Sequence, residues 1–309
     1  MIGSVLKEVS GIFDQRFLKN AFFPSLIFWS ALLWVGTAAQ GSFIKELTAW
    51  NNQDTTIKAV QLIGFVAWIT FFASLLSSSG NAILRFYEGY WQFPGSTWLA
   101  RKGKAWHQKK LARLATQSTE YEQIYQSYPL PSQPEQVMPT RLGNILKNAE
   151  LYPMDRYHID SVLIWPRLYF LLPADFHQTF ANARSSLDFM LAISLLGIIF
   201  SVLSGIYLLV VKANWSLFLI CFWGGFLIAW LAYRSALAAA VVYGQQIKTA
   251  FDLYRHLLIK TLRLQLPPSL LAERKMWGEI NQFLYRNFPL TSNYFTETPE
   301  AGETSPAQK

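Results

Sequence analysis

Apolar positions along this chain fall into four long runs, Ala21 to Ala39, Ala59 to Leu76, Phe189 to Val211 and Trp215 to Tyr233. None holds a Lys, Arg, Asp or Glu in its centre. Each is close to the ~20 residues that a helix rising 1.5 Å per residue needs to cross a ~30 Å hydrocarbon layer. A segment in lipid must satisfy every backbone group internally, so such runs predict helices rather than strands. The predicted fold class is an all-α membrane protein with four transmembrane helices, its long helices extending into a cytoplasmic helical layer.

The polar stretches between the runs predict the remaining organisation. Residues 1–20 place Val5, Val9, Ile12, Phe13 and Phe17 at helical spacing among charges, the pattern of an amphipathic helix in the headgroup plane or, equally, of a helical extension of span one. Residues 21–80 hold spans one and two, and 81–185 form a cytoplasmic helical region. There Asn81 to Trp91 reads as helix up to the Phe93-Pro94-Gly95 turn, and Ser96 or Thr97 opens a second helix running towards Tyr128. Pro129 to Pro139 reads as a loop. Thr140 to Leu151 reads as helix, and Ser161 to Pro173 is too short for a span and suits a buried or interfacial segment. Residues 186–234 form a transmembrane hairpin. Residues 235–290 continue it as a cytoplasmic extension until Pro267 and Pro268, after which Ser269 opens a last helix. The polar tail 291–309 reads as disordered.

Charge orients this plan. The net charge is +8, yet of the basic residues the segments Gln40 to Lys58 and Lys212 to Asn214 hold only Lys45, Lys58 and Lys212. Near the span ends, Arg16, Lys19, Arg85, Arg184, Arg234 and Lys248 all fall on the other side, which the positive-inside rule makes cytoplasmic. A multi-pass protein of the cytoplasmic (inner) membrane with both termini inside is expected. The first twenty residues lack a short apolar segment of signal-peptide type, so the first run is expected to remain as a span. The single Cys221 lies within the fourth run and excludes a disulfide framework within one chain.

Candidate chemistry adds little. No phosphate-binding loop, nucleophile elbow or HExxH pattern occurs, and His107, His158, His177 and His256 all lie outside the runs. No catalytic residue and no cofactor is expected. Glu150, Asp155, His158 and Asp160 form the best metal-like cluster, although a solvated loop with Asp160 capping a helix accounts for it more simply. Arg101, Lys102, Lys104, Lys109, Lys110 and Arg113, with Trp106 and Trp98 among them, suit a solvated cytoplasmic face or contact with anionic inner-leaflet lipid better than nucleic acid. Small residues recur at Gly197, Ser201 and Gly205 and again at Ala232, Ala236, Ala240 and Gly244, a pattern that permits close helix packing within a hairpin or between subunits. Thr70, Ser74, Ser77 and Ser78 share one face of the second span, as a packing seam or a pore lining. Asp188 and Arg234 lie at mirrored depth about the Lys212 to Asn214 turn, which predicts an ion pair setting the hairpin register; the alternative pairs Asp188 with Arg184 one turn earlier.

Three segments, PTRLGNIL (Pro139 to Leu146), RYHIDSVLIWPRLYFLLP (Arg156 to Pro173) and YGQQIKTAFDLYR (Tyr243 to Arg255), are similar to those of an uncharacterised bacterial family of polytopic membrane proteins. The resemblance implies no activity and no site residues, and makes the cytoplasmic layer the distinctive part. The reading that follows is a membrane-anchored assembly or interaction module, expected to act as a homo-oligomer or with another membrane protein. An oligomeric ion channel or pore is the alternative, and a lipid-acting enzyme the third.

Overall fold

The computed structural model describes residues 14–41, 43–116 and 121–290. The expectations for residues 1–13 and for the tail 291–309 lie outside them. The described residues form eleven α-helices and no strand: α1 (Gln15–Ala39, with one π-helical turn at Leu18–Phe22), α2 (Phe43–Asn51), α3 (Thr55–Ser78), α4 (Gly80–Glu88), α5 (Ser96–Ala115), α6 (Tyr121–Ser127), α7 (Arg141–Tyr157), α8 (Ser161–Tyr169), α9 (Ala174–Val210), α10 (Trp215–Thr261) and α11 (Leu270–Arg286). Four of them, α1, α3, α9 and α10, are long and apolar enough to cross a membrane. The chain divides into two compact units, residues 1–148 with 178–245, and residues 149–177 with 246–309.

In the first unit α1, α3 and α9 share a core of Leu18, Phe22, Phe28, Ile69, Ala73 and Leu196. Leu18, Ala21 and Phe22 are buried in it, so the described end of the 1–20 segment extends span one as the start of α1 rather than lying on a surface. Lipid offers no hydrophobic gain for bringing two helices together, so close backbone approach must do so. A Cβ on Gly225 of α10 would stand 2.8 Å from the Ser201 Cβ of α9, and one on Gly197 would stand 3.1 Å from the Ala229 Cβ.

Two predicted elements differ. The segment expected to run as one helix from Ser96 to Tyr128 contains two, α5 and α6. The loop between spans one and two carries α2, whose Phe43, Ile44, Leu47 and Trp50 are exposed on one side, a short amphipathic helix hidden from span-length counting.

The second unit has its own core around Trp277, fully buried, with Phe251, Ile159, Ile164, Leu168 and Ile280. Ser161 to Pro173 is not a span: Asp160 caps α8 by accepting from the Leu163 amide at 3.1 Å, and Ile164 and Leu168 enter this core. Ser269 caps α11 as expected.

Candidate lipid-contact face

The turn before α5 is set by the PTRLGN segment. A Cβ on Gly103 would meet the Pro139 carbonyl oxygen at 2.5 Å, and one on Gly143 would collide with that of Glu88. Only glycine permits both approaches. The Thr140 hydroxyl lies 2.7 Å from the Tyr87 carbonyl oxygen and 2.9 Å from that of Glu88. The Asn144 amide nitrogen donates to the Met138 and Thr140 carbonyls, and its oxygen accepts from the Met138 amide. The hydrogen bonds hold α7 and its preceding turn against the end of α4, and the close approach of Gly103 to Pro139 seats α5 on that turn with its Gly103 side inward.

With that rotation fixed, His107, Leu111 and Leu114 face inward against Ile124, Tyr128 and Val137. At about 100° per residue, Trp98, Lys109, Lys102, Arg113, Trp106 and Leu99 fall in that angular order within an arc of about 100° on the opposite side. Trp98 and Trp106 are 53% and 60% exposed. The Lys102 ammonium stands 3.8 Å over the Trp98 ring and that of Lys110 stands 5.6 Å over Trp106. Each cation thus sits one turn from an indole, an arrangement that keeps both in place at small cost. No Asp or Glu occurs in α5, so the face holds cationic and apolar side chains and no acid.

The predicted basic set therefore divides. Lys102, Trp106, Lys109 and Arg113 share the face, joined by Trp98 and Leu99; Lys110 flanks it. Arg101 lies at its far edge and reaches back to the Thr97 carbonyl, and Lys104 points to another side of the helix. Behind the face, the His107 Nδ1 and the Tyr128 hydroxyl share a 2.8 Å hydrogen bond. Burial, helped by Lys110 and Arg141, lowers the imidazole to about 4. Burial likewise raises the Tyr128 phenol to about 12. Both groups are neutral at physiological pH, so the charge of this region lies on its surface.

The other predicted sites resolve differently. Asp188 pairs with Arg184, Nε to Oδ2 at 2.9 Å, and Arg184 also donates to Asn81. The expected Asp188–Arg234 pair is corrected: a partner one turn away on the same helix already meets Asp188, while Arg234 stacks over Trp230 at 5.4 Å. Glu150, Asp155, His158 and Asp160 do not converge. Among the described residues no three metal-ligating side chains gather, Asp160 is spent as a cap and His158 adopts a left-handed backbone at the end of α7. Gly197, Ser201 and Gly205 do meet α10, but against Gly225, Ala229 and Phe222 rather than the second small-residue row. Ala236 and Ala240 of that row are buried against Leu84, Leu142, Leu187 and Leu191, and Ala232 and Gly244 are buried as well. Both rows are thus occupied within one chain. In α3 the hydroxyls of Thr70, Ser74 and Ser78 donate to their own helix carbonyls, and the buried side of α3 is Ile69, Ala73 and Leu76.

Sequence reasoning missed a polar network in the second unit. The Tyr152 and Tyr157 hydroxyls both donate to the Asp252 carboxylate, Tyr157 at 2.7 Å. Arg255 donates to Glu273 at 2.7 Å, and Trp277 Nε1 donates to the same oxygen at 3.3 Å. The Arg255 guanidinium covers the Tyr157 ring at 3.9 Å. Lys248, 15 positions beyond the last apolar residue of the fourth run, is 2% exposed, and burial lowers its amine to about 8 against the pull of Asp252. The only sequence signal was the polar face of α10, which does not reveal partners a hundred positions away. No family model, no curated protein and no solved structure matches this chain.

Proposed function

We propose that this protein is a membrane-anchored interaction module of the bacterial inner membrane, with both termini cytoplasmic, that grips anionic inner-leaflet lipid through the exposed face of α5. The observation that carries this reading is the single arc holding Trp98, Lys102, Trp106, Lys109 and Arg113 opposite the buried side of the helix. Basic residues at an anionic leaflet gain roughly 1 kcal/mol each, and indoles settle at the headgroup level. Three lysines and arginines on the arc thus supply about 3 kcal/mol, enough to hold a helix already tethered by spans but too little to recruit a soluble protein firmly. The charge distribution supports the orientation, since the basic arc and the basic span ends belong to the same side.

A channel finds less support, because the hydroxyls of α3 are engaged by their own backbone. Homo-oligomerisation finds no support in the small-residue rows, which are covered within the chain.

A fluorophore at position 106 (Trp106→Cys with Cys221→Ser), in full-length protein in nanodiscs, tests the reading. Emission should shift to the blue in anionic relative to neutral lipid. Half-molar salt should reverse that shift, as should the triple change Lys102→Gln, Lys109→Gln and Arg113→Gln. Identical emission in both lipids would overturn the assignment.

A further inference from the structure

An open cavity of about 480 Å³ lies in the first unit, with α10 as its floor and α6 and α7 as its walls. That volume is within the roughly 300–1,000 Å³ usual for small-molecule sites. Arg234, Leu237 and Val241 of α10 line it, with Arg141 of α7 and Glu122 and Gln126 of α6. Among the described residues neither the Arg141 nor the Arg234 guanidinium makes a hydrogen bond or an ion pair; Arg234 has only the Trp230 ring beneath it. Gln126 donates to the Glu122 carboxylate at 3.1 Å, which engages the one acid on the wall. Two planar forks of N–H donors on one cavity, without a protein carboxylate bound to either, make a site for an oxyanion that accepts two or more hydrogen bonds.

The depth of Arg234 identifies the source of that anion. It follows the 19 uncharged residues from Trp215 to Tyr233, which span about 28 Å as helix. Arg234 is therefore at the headgroup level at the open end of the α9–α10 hairpin. Trp230, one turn deeper, is exposed beside Leu227 and Leu231, an apolar strip along which acyl chains can lie. We propose that this cavity holds the phosphate of one membrane phospholipid between Arg141 and Arg234, with its chains on the outer side of α10. The site shares no residue with the α5 face and does not depend on it.

Native mass spectrometry of the full chain, purified in mild detergent and titrated with phosphatidylglycerol, tests this. One lipid should bind per chain. Affinity should fall roughly tenfold with each of Arg141→Gln and Arg234→Gln, as expected for loss of a charge-assisted contact. Glu122→Gln, which removes the opposing charge, should tighten binding. Arg141→Lys with Arg234→Lys should keep part of the affinity, and an unchanged melting temperature in the double glutamine variant excludes unfolding as the cause. The α5 triple change should leave this stoichiometric lipid in place, which separates the two sites. Full retention of lipid by the double glutamine variant, or weaker binding by Glu122→Gln, would overturn the proposal. Displacement of the lipid by millimolar inorganic phosphate would assign the cavity to a soluble phosphate compound instead and overturn the lipid source.

Discussion

Among the long helices of the first unit, polar contacts join mostly neutral groups. Asn20 and Ser185 exchange two hydrogen bonds at 2.9 and 3.0 Å, the Tyr87 hydroxyl donates to Ser194, and the Tyr207 hydroxyl donates to the Gly36 carbonyl. In the second unit Asp252, Arg255, Glu273 and Lys248 are grouped around Tyr152, Tyr157 and Trp277. A charge at the centre of a bilayer costs ~2.5 kcal/mol or more, so inside the apolar runs, at Ser194, Tyr207 and Gly36, the donors and acceptors are neutral. Arg184 and Asp188 are paired and each about a quarter exposed; they stand where the apolar run has not yet begun. A helical module outside lipid can keep charges inside if each is paired and its remaining hydrogen bonds are met. The contrast teaches that two all-helical units of one chain can lock their helices with different polar chemistry, neutral pairs in one and paired charges in the other.

The largest effect should come from splitting the most buried charged pair. Glu273→Ala strands Arg255, whose side chain is 12% exposed against 5% for Glu273, and should cost the second unit about 3–5 kcal/mol. Replacing both, Arg255→Met with Glu273→Leu, should recover most of it. Amide exchange along α11 reports the loss; a single variant no weaker than the double would mean that charge does not lock this unit.

The first unit should instead be most sensitive to volume. Gly225→Ala brings a Cβ to 2.8 Å from that of Ser201, whereas Gly224→Ala meets nothing within 4 Å. Overpacking should cost about 1–3 kcal/mol at Gly225 and close to nothing at Gly224. Equal melting temperatures for the two variants would remove close approach as the cause of the hairpin.

Acid sharpens the comparison behind α5 in the first unit, where an ionisable group is kept neutral instead of paired. The folded His107 takes up its proton only near pH 4, against 6.5 for a free imidazole. Between those values the unfolded chain binds more protons, so stability falls as pH drops from about 6.5 towards 4 and is flat in this respect above 6.5. The loss at pH 4 should be about 2 kcal/mol once solvent access is allowed for. His107→Gln should flatten the profile; an unchanged acid slope would place the proton elsewhere.

The smallest effects compare two phenols. Tyr157→Phe removes a donor to a carboxylate and should cost about 1.5 kcal/mol, whereas Tyr87→Phe removes a neutral bond to Ser194 and should cost about 0.5 kcal/mol. A larger loss for Tyr87 would invert the contrast.

Length and period made much of this architecture readable in advance. The four apolar runs and the Asp160 and Ser269 caps are properties of one stretch of chain, set by local sterics and by the bilayer's thickness, whereas α10 ends at Thr261, short of the expected stop at Pro267. The same local reading named eight basic and aromatic residues of α5, but not which of them point together. That rotation comes from the approach of Gly103 to Pro139, in a turn that Thr140 and Asn144 hold by hydrogen bonds, and its only trace in the sequence was the PTRLGN segment itself.

Which residues this protein would place along a membrane, and in what order, was determined by its sequence alone, because hydrophobic periodicity is written within each helix. Partner choice was decided only by the tertiary structure. Asp188 turned to Arg184 rather than Arg234, Gly225 rather than Ala232 met the α9 row, and Asp252 gathered two tyrosines about a hundred positions away. Each of these depends on the register and rotation of one helix against another, and a shift of a single residue turns a side chain by about 100°. No pattern confined to one helix carries that information.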